Sequence, residues 1–350
     1  MSEDKKIIVD KNFLRKTLTK NQSFLTSICK LIDNSLQVNK NNDICIVNIY
    51  VDKNYVIIRD NSGGIDPVIA SDEIFNVGDI SNNSKGIGLK QAIFKLGNYA
   101  RIHSNREDFS CIIKLDLRNW NTYDMSYDLN EVNYLKEKAS GTIIEIKNLE
   151  DDILKEMNNR NFFNNLVEDL GKAYKYQIIN NKLKLTLNNY NINPKETDGK
   201  LIVSKKFSVN NPKAKFIMDI NLYKANKEHS SGLDLYINNN LIFNRKNDKT
   251  VKWTYLREIK HSFKNCIAEV IVKGDDKLLD NVDLILSYII QVIKNNKEYF
   301  VSKKMSLQHE EDIDKVEELK EYYDLKTGKE VGEKSFKLLY NKYLEESKNK

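Results

Sequence analysis

Two apolar runs separated by two polar residues constrain the fold of this chain most strongly. The runs are ICIVNIYVD at 44–52 and YVIIRD at 55–60, and Lys53-Asn54 joins them. Runs rich in β-branched residues predict strands, and a two-residue polar connection between them predicts a β-hairpin. The second run leads directly into DNSGGID at 60–66, so a polar, glycine-bearing loop is expected at the carboxyl end of a strand.

Helices are predicted on either side of this hairpin. Apolar residues in the segment 24–37 have helical spacing, which predicts one face buried in a core. A polar stretch with glycines, NVGDISNNSKGIG at 76–88, leads into LKQAIFKLG at 89–97, a short predicted helix with Gly97 as its C-terminal stop. Further strands are predicted at 99–104, 109–117 and 141–147.

The pattern changes after about residue 150, which predicts a second unit. A helix is expected over 152–174, followed by short strands such as KLKLTL, FIMDINLYK, GLDLYIN and CIAEVIV, and by a helix around 279–296. From Ser302 on, the chain is nearly all charged and polar. The sequence therefore predicts an α+β protein with domains at 1–150 and 151–300 and a charged, helical tail at 301–350.

Composition narrows the function classes. The 350 residues include 40% hydrophobic residues and carry a net charge of +6, with a mean hydropathy of −0.57. No run approaches the roughly 18–20 apolar residues that a membrane span needs, and the opening segment is charged where a signal peptide would be apolar. We therefore expect a cytoplasmic protein with no membrane partner. The small, interspersed charge permits nucleic-acid binding without demanding it.

The cysteines and histidines give no indication of a metal site. The four cysteines lie far apart with no CxxC pair, and the four histidines show no HxxxH spacing. Wide spacing and a low count fit a reducing compartment with idle thiols.

Three features could contribute to a ligand-binding site. Bare backbone in GIGLK before a helix can approach a polyphosphate, although glycines there also serve as simple loop punctuation. Lys30 and Asn34 are spaced i,i+4 on one helix face, where an exposed amide oxygen can ligate a hard cation such as Mg²⁺. Asp60 beside Gly63-Gly64 offers a carboxylate acceptor to an exocyclic amine, and the alternative for this segment is a tight turn.

The order of these segments carries a family resemblance. LIDNS in a helix, RDNSGGID after a hairpin strand, GIGLKQA opening a helix and SGTIIEI in a later strand resemble the GHKL ATPase family. Its members include the ATPase component of DNA gyrase, MutL, the heat-shock-90 chaperones, histidine kinases and MORC proteins. GIGLKQAIFKLG is most similar to the MORC-like branch, and GLDLYINNNLIF at 232–243 resembles, more loosely, the transducer domains of gyrase, MutL and MORC proteins.

The resemblance implies a fold and a ligand. It implies a Bergerat-type α/β sandwich over about 24–146, a smaller α+β transducer-like domain, and ATP with Mg²⁺ as ligands. Asn34 would ligate Mg²⁺, and Asp60 would accept the adenine amino group, with Thr142 helping through water. Residues of about 75–87 would form the lid. The remaining implied contacts are with the adenine pocket for Gly64 and Ile65, and with the phosphates for Gly86, Gly88, Leu89 and Lys90.

Two further residues take implied roles. Asp33 matches the aspartate that precedes the Mg²⁺ asparagine, and its expected role is to brace the site. Lys277, in GDDKLLDN, is the candidate for the transducer lysine that reaches the γ-phosphate, and a solvated loop charge is the alternative.

The chain departs from the family pattern at three places. Lys30 stands where most hydrolysing members have the glutamate that activates the attacking water, and a lysine cannot accept a proton at neutral pH unless its pKa is strongly depressed. Ser62 stands where a glycine is typical, which matters if that position needs a positive φ. The lid is also shorter than in MORC proteins.

Three hypotheses follow. The first is an ATP-dependent conformational switch with slow or absent hydrolysis, which dimerises or engages a companion effector protein. The second is an active ATPase that uses another carboxylate. The third is a nucleic-acid-binding module with a vestigial nucleotide site. A histidine-kinase role is set aside because no histidine occurs in the first 24 residues, and a bacterial DNA-maintenance or anti-phage system is an expectation by analogy.

Overall fold

The computed structural model describes most of the chain up to residue 300. The described ranges are 11–39, 44–74, 87–106, 109–120, 127–132, 140–211, 214–226, 231–253, 265–296 and 299–300. The predicted lid up to and including Gly86 lies outside these ranges, as does the predicted tail at 301–350. Two compact units are present: one comprises residues up to 197 with 236–242, and the other comprises 198–235 and residues from 243 onward. The predicted domain boundaries stay a prediction.

The first unit is built on an eight-stranded sheet. Its spatial order is β5-β4-β3-β6-β2-β1-β7-β8, and all neighbours are antiparallel except β1 and β7, which are parallel. The strands are β1 (Cys45–Asp52), β2 (Tyr55–Asp60), β3 (Gly97–Asn105), β4 (Ser110–Asp116), β5 (Asp128–Val132), β6 (Gly141–Leu149), β7 (Leu183–Leu187) and β8 (Tyr190–Asn191).

The helices of this unit share one hydrophobic core with the sheet. Alternate residues of the central strands are buried, among them Val47, Ile58 and Ile146, and they join Phe24 and Ile93 of the helices in a single cluster. This is the two-layer packing that an amphipathic helix and a half-buried strand require. The helices are α1 (Lys11–Thr19), α2 (Phe24–Val38), α3 (Ile87–Leu96), α4 (Asp151–Met157), α5 (Phe162–Ala173) and α6 (Lys175–Ile179).

The hairpin and the first core helix form as predicted. In the β1–β2 pair, Asp52 lies opposite Tyr55, so Lys53-Asn54 forms the two-residue connection. Helix α2 begins after Ser23, whose hydroxyl accepts from the Thr26 amide at 3.2 Å while Thr26 Oγ1 accepts from the Ser23 amide at 2.7 Å. This reciprocal capping satisfies backbone donors that would otherwise lack a partner at the helix start.

The prediction of one continuous helix over 152–174 was wrong. The structure interrupts it after Met157, and α5 begins at Phe162. The Asn159 side chain accepts from the Asn161 amide at 2.9 Å. Asparagine side chains compete for backbone donors in this way, which favours turns over helix.

The strand KLKLTL, which the sequence analysis assigned to the second unit, is β7 of the first sheet. Leu183 pairs with Cys45 and Leu187 with Ile49, so β7 runs parallel to β1. A parallel neighbour needs a long crossover connection. The chain between β1 and β7 contains strands β2 to β6 and, directly before β7, the helices α4, α5 and α6. Short-range patterns in the sequence do not show this long connection.

Gly97 has a different role from the predicted helix stop. It is the first residue of β3, and a Cβ atom there would lie 2.5 Å from the Lys147 carbonyl oxygen. The glycine therefore permits close approach of β3 to β6.

Most residues of a five-stranded sheet, in the order β12-β11-β13-β10-β9, belong to the second unit. Alternate residues of β10 are buried, and Phe216 packs edge-on against Tyr288 with ring centroids 6.3 Å apart. The elements are β9 (Lys200–Asn211), β10 (Ala214–Lys224), β11 (Gly232–Ile237), β12 (Asn240–Lys246), β13 (Cys266–Gly274) and α7 (Val282–Lys294).

No helix in the described ranges is long and apolar enough to cross a membrane.

Arg15 of α1 caps the carboxyl end of α3. Its guanidinium donates to the Phe94 carbonyl at 2.8 Å, the Gly97 carbonyl at 3.2 Å and Asn98 Oδ1 at 2.7 Å, and it pairs with Glu150 at 2.9 Å. The last carbonyls of a helix lack intrahelical partners and carry partial negative charge, so a guanidinium stabilises them.

We predict that Arg15→Ala lowers the free energy of unfolding by about 1–3 kcal/mol, because it leaves partly buried acceptors unsatisfied. The matched control is Lys16→Ala on the exposed side of the same helix, which should change it by less than about 0.5 kcal/mol. Urea unfolding of both variants measures the difference. Equal effects would contradict the capping role.

Candidate functional site

The carboxylate of Asp60, at the end of β2, is held by four donors. Oδ1 accepts from the Ser62 amide at 2.9 Å, from the Ser62 hydroxyl and from the Thr142 amide at 3.1 Å. Oδ2 accepts from the Ser35 hydroxyl at 3.0 Å. An ionised carboxylate has about four lone-pair sites over two oxygens, so Oδ1 is saturated and Oδ2 retains acceptor capacity.

Two glycines give the surroundings of Asp60 a bare backbone. Gly64 has a φ of 74°, and a Cβ atom there would lie 2.6 Å from the Asn105 carbonyl oxygen. A Cβ atom at Gly141 would collide with the carbonyl oxygen of Asp60 itself. Only glycine allows the loop after β2 to approach β3, and β6 to approach the end of β2, this closely.

The loop after β2 is fastened to β3, and Ser62 fits it without strain. The Ile65 amide donates to the buried Ser104 hydroxyl at 2.7 Å. The left-handed backbone conformation in this loop belongs to Gly64, while Ser62 has no positive φ. The serine is therefore compatible with the loop, and its hydroxyl adds a donor to Asp60 that glycine would lack.

Asn34 of α2 faces the start of α3. A Cβ atom built on Gly88 would lie 3.8 Å from Asn34 Oδ1 and 3.7 Å from Lys30 Cβ. In the described part of the chain the side-chain amide of Asn34 has no hydrogen-bond partner. The structure thus brings together three residues that the sequence predicted for one site, with an amide oxygen beside bare backbone.

Lys30 extends from the same face of α2 and donates its ammonium to Gln91 Oε1 on α3. Burial lowers the pKa of Lys30, and the negative charge of Asp33 opposes this. Gln91 follows Gly88 by three residues, which places both on neighbouring parts of one helix face. Gln91 belongs to the motif GIGLKQA, but no pattern in the sequence predicts a role for it.

Asp33 contacts a different element. The Tyr174 hydroxyl, after α5, lies 2.9 Å from Asp33 Oδ1 and 2.9 Å from the Cys29 carbonyl oxygen. Burial raises the pKa of Asp33, while the Tyr174 hydrogen bond and the charge of Lys30 oppose the rise. This geometry agrees with a bracing role for Asp33, which stays a prediction.

Other predicted residues vary in their surroundings. Lys90 is buried, with 2% exposure, and Leu89 and Ile65 pack against the core. Thr142 lies near Asp60 through its backbone amide. Lys277 is exposed in the second unit, and its role toward a γ-phosphate stays a prediction, as do the roles of Lys90, Leu89 and Ile65.

The thiol of Cys45, which is influenced by the charge of Asp60, is unreactive. Cys45 is buried, and burial together with the charge of Asp60 raises the pKa of its thiol to about 12. The thiol therefore stays protonated near neutral pH and takes no part as a nucleophile.

Part of the chain, including most of the residues described above, is similar to a known protein family. A family model described as histidine kinase-, DNA gyrase B-, and HSP90-like ATPase matches residues 22–142. The match runs from just before α2 to the start of β6 and includes Asn34, Asp60, Gly64 and Gly88. It supports assignment of this segment to the GHKL superfamily. No curated protein matches the chain significantly.

The two loop glycines provide a test of the local geometry. Gly64→Ala should destabilise the protein by about 2 kcal/mol or more, because it places a Cβ atom on a left-handed backbone and against the Asn105 carbonyl. Gly63→Ala is the matched control, because its Cβ atom would meet only Val38 Cγ1 at 3.8 Å. Thermal unfolding compares the two, and a Gly64→Ala variant as stable as Gly63→Ala would contradict this geometry.

Proposed function

We propose that residues 22–142 bind ATP with Mg²⁺ and that ATP binding acts as a conformational switch. The observation that carries the proposal is the Asp60 carboxylate, whose Oδ1 is saturated by three donors while Oδ2 accepts from the Ser35 hydroxyl and retains acceptor capacity. An acceptor held in place by several donors has a fixed orientation and selects a ligand that donates a hydrogen bond. The exocyclic amino group of adenine is such a donor.

The Asn34 region fits the charged end of the same ligand. Mg²⁺ in nucleotide sites keeps several waters, takes phosphate oxygens and needs only one or two protein oxygens. Asn34 supplies one uncommitted amide oxygen, and Gly88 at the start of α3 leaves room beside it. Backbone amides at a helix start favour anionic oxygens. Bound Mg²⁺ would neutralise phosphate charge.

The roles of the remaining residues belong to the proposal. Gly64 and Ile65 line the adenine pocket, and Thr142 assists Asp60 through water. Gly86, Gly88, Leu89 and Lys90 surround the phosphates, and residues 75–87 form the lid. We also propose that the second unit is transducer-like, that Lys277 is its candidate residue for the γ-phosphate, and that the chain is similar to the MORC-like branch.

A switch of this kind does not require turnover. A ligand shifts a conformational equilibrium by its differential affinity for the two states, whatever its later fate. We propose that ATP promotes lid closure, followed by homodimerisation or engagement of a companion effector protein. The resemblance to MutL and MORC proteins supports this order of events.

Hydrolysis is proposed to be slow or absent because the position of the usual general base holds Lys30. Its ammonium donates to Gln91, so it cannot accept a proton from water. The neighbouring carboxylate, Asp33, lies at hydrogen-bond distance from Tyr174. An active ATPase with another base is the second candidate.

The adenine contact is tested with Asp60→Asn. The three donors at Oδ1 should keep the amide oxygen there, which turns the amide nitrogen toward the ligand. Because a donor then faces a donor, ATP affinity should fall by about 100-fold, roughly 2.7 kcal/mol. Inosine triphosphate carries a carbonyl in place of the amino group. Its affinity should therefore fall much less in Asp60→Asn than the affinity for ATP does.

Isothermal titration with both nucleotides makes this measurement. Asp52→Asn, at the exposed end of β1, is the matched control and should bind ATP like the wild type. Equal losses for ATP and inosine triphosphate would argue against contact between Asp60 and the amino group.

The missing base is tested with Lys30→Glu. A glutamate at this position can accept a proton from water, and general-base catalysis typically contributes about 10²–10⁴-fold. Phosphate release at saturating ATP·Mg²⁺ should therefore rise by at least about tenfold from a low wild-type rate. Sustained release by the wild type, with no gain in the variant, would favour the second candidate.

A further inference from the structure

The Lys30 side chain follows a defined path from α2 to α3. Its Cβ and Cγ atoms lie 3.7 and 3.9 Å from the position that a Cβ atom of Gly88 would occupy. Its ammonium ends at Gln91 Oε1, one helical turn beyond Gly88. A cation and an amide are thus held together at the bare start of a helix, next to Asn34.

The charge on this ammonium is only partly compensated. Its hydrogen-bond partner is a neutral amide, and within the described ranges no acidic side chain forms an ion pair with it. Burial lowers the pKa of Lys30, which reflects the cost of partly desolvating a cation, and the negative charge of Asp33 opposes this shift. An ammonium has three donors, and Gln91 takes one of them. An anion placed here would relieve that cost.

Gln91 is oriented by the same contact. Because its oxygen accepts from Lys30, its amide nitrogen is directed elsewhere and has two hydrogens to donate. Lys30 and Gln91 together can therefore present several donors to one group of anionic oxygens. Phosphate oxygens accept such charge-assisted hydrogen bonds strongly.

We propose that Lys30 and Gln91 recognise the terminal phosphate of a nucleoside triphosphate and so distinguish it from the diphosphate. This inference rests on the proposed nucleotide site and specifies how that site is regulated. The pair recognises the terminal phosphate by binding it, and this recognition does not require hydrolysis. The switch would then be reset by exchange of the triphosphate, since the discrimination lies in affinity.

The experiment compares the affinities of the full chain for ATP and ADP, each with Mg²⁺, by isothermal titration. The wild type should bind ATP at least about tenfold more tightly than ADP. Lys30→Met should weaken ATP binding by about tenfold or more, as expected for a lost charge-assisted hydrogen bond, and should change ADP binding by less than about twofold. Gln91→Leu should reduce the ratio in the same direction by a smaller factor.

Two further variants make the result specific. Lys30→Arg keeps the cation and should preserve the ATP preference, which also covers the case in which Lys30→Met folds poorly. Lys53→Met, in the exposed β1–β2 turn, is the matched control and should leave both affinities unchanged.

The failures are distinguishable. If the wild type binds neither nucleotide, the proposed nucleotide site and this inference both fail. If the wild type binds both nucleotides equally, or if Lys30→Met weakens ATP and ADP alike, the nucleotide site stands and terminal-phosphate recognition is overturned. A Lys30→Arg variant that folds but loses the ATP preference would also overturn it.

Discussion

The hydrogen-bonded carboxylate of Asp60 is the constraint on which the site depends. Its donors come from α2, from the loop after β2 and from the start of β6, so one side chain joins three separate parts of the chain. The strand pairing that brings them together needs Gly141 beside the Asp60 backbone and Gly64 beside Asn105. The same carboxylate that organises the backbone is the group that we propose contacts the ligand. In that proposal, the same few residues specify both the fold and the recognition of the ligand.

A second set of contacts positions the opposite end of the site. Helix α3 carries Gly88 near its start and is capped at its other end by Arg15 of α1. The α2 helix presents Lys30 and Asn34 toward Gly88, while Asp33, one residue before Asn34, contacts Tyr174. Each residue of this short segment thus has a different environment. A displacement of α3 would alter the space between Gly88 and Asn34, which is where the proposed phosphates lie.

The sequence predicted the local features well because they arise from short-range rules. The hairpin around Lys53-Asn54 and the capped helix from Phe24 follow from alternation, turn chemistry and helical spacing. The motif order also assigned Asn34 and Gly88 to one site, and the structure places these two residues side by side. The contacts of Ser35, Gln91 and Tyr174 were missed because they join residues far apart in the chain. The parallel placement of β7 was missed for the same reason.

The distinction between binding and turnover follows from Lys30. In our proposal, Lys30 at the position of the general base removes the usual route to hydrolysis, while its ammonium, which donates to Gln91, holds an anion. The central claim is that this chain binds one ATP through the adenine amino group. Isothermal titration of the full chain with ATP·Mg²⁺ and, separately, with GTP·Mg²⁺ tests it most directly. We predict saturable one-to-one binding of ATP and at least about 100-fold weaker binding of GTP; equal affinities, or no saturable binding of ATP, would contradict the account.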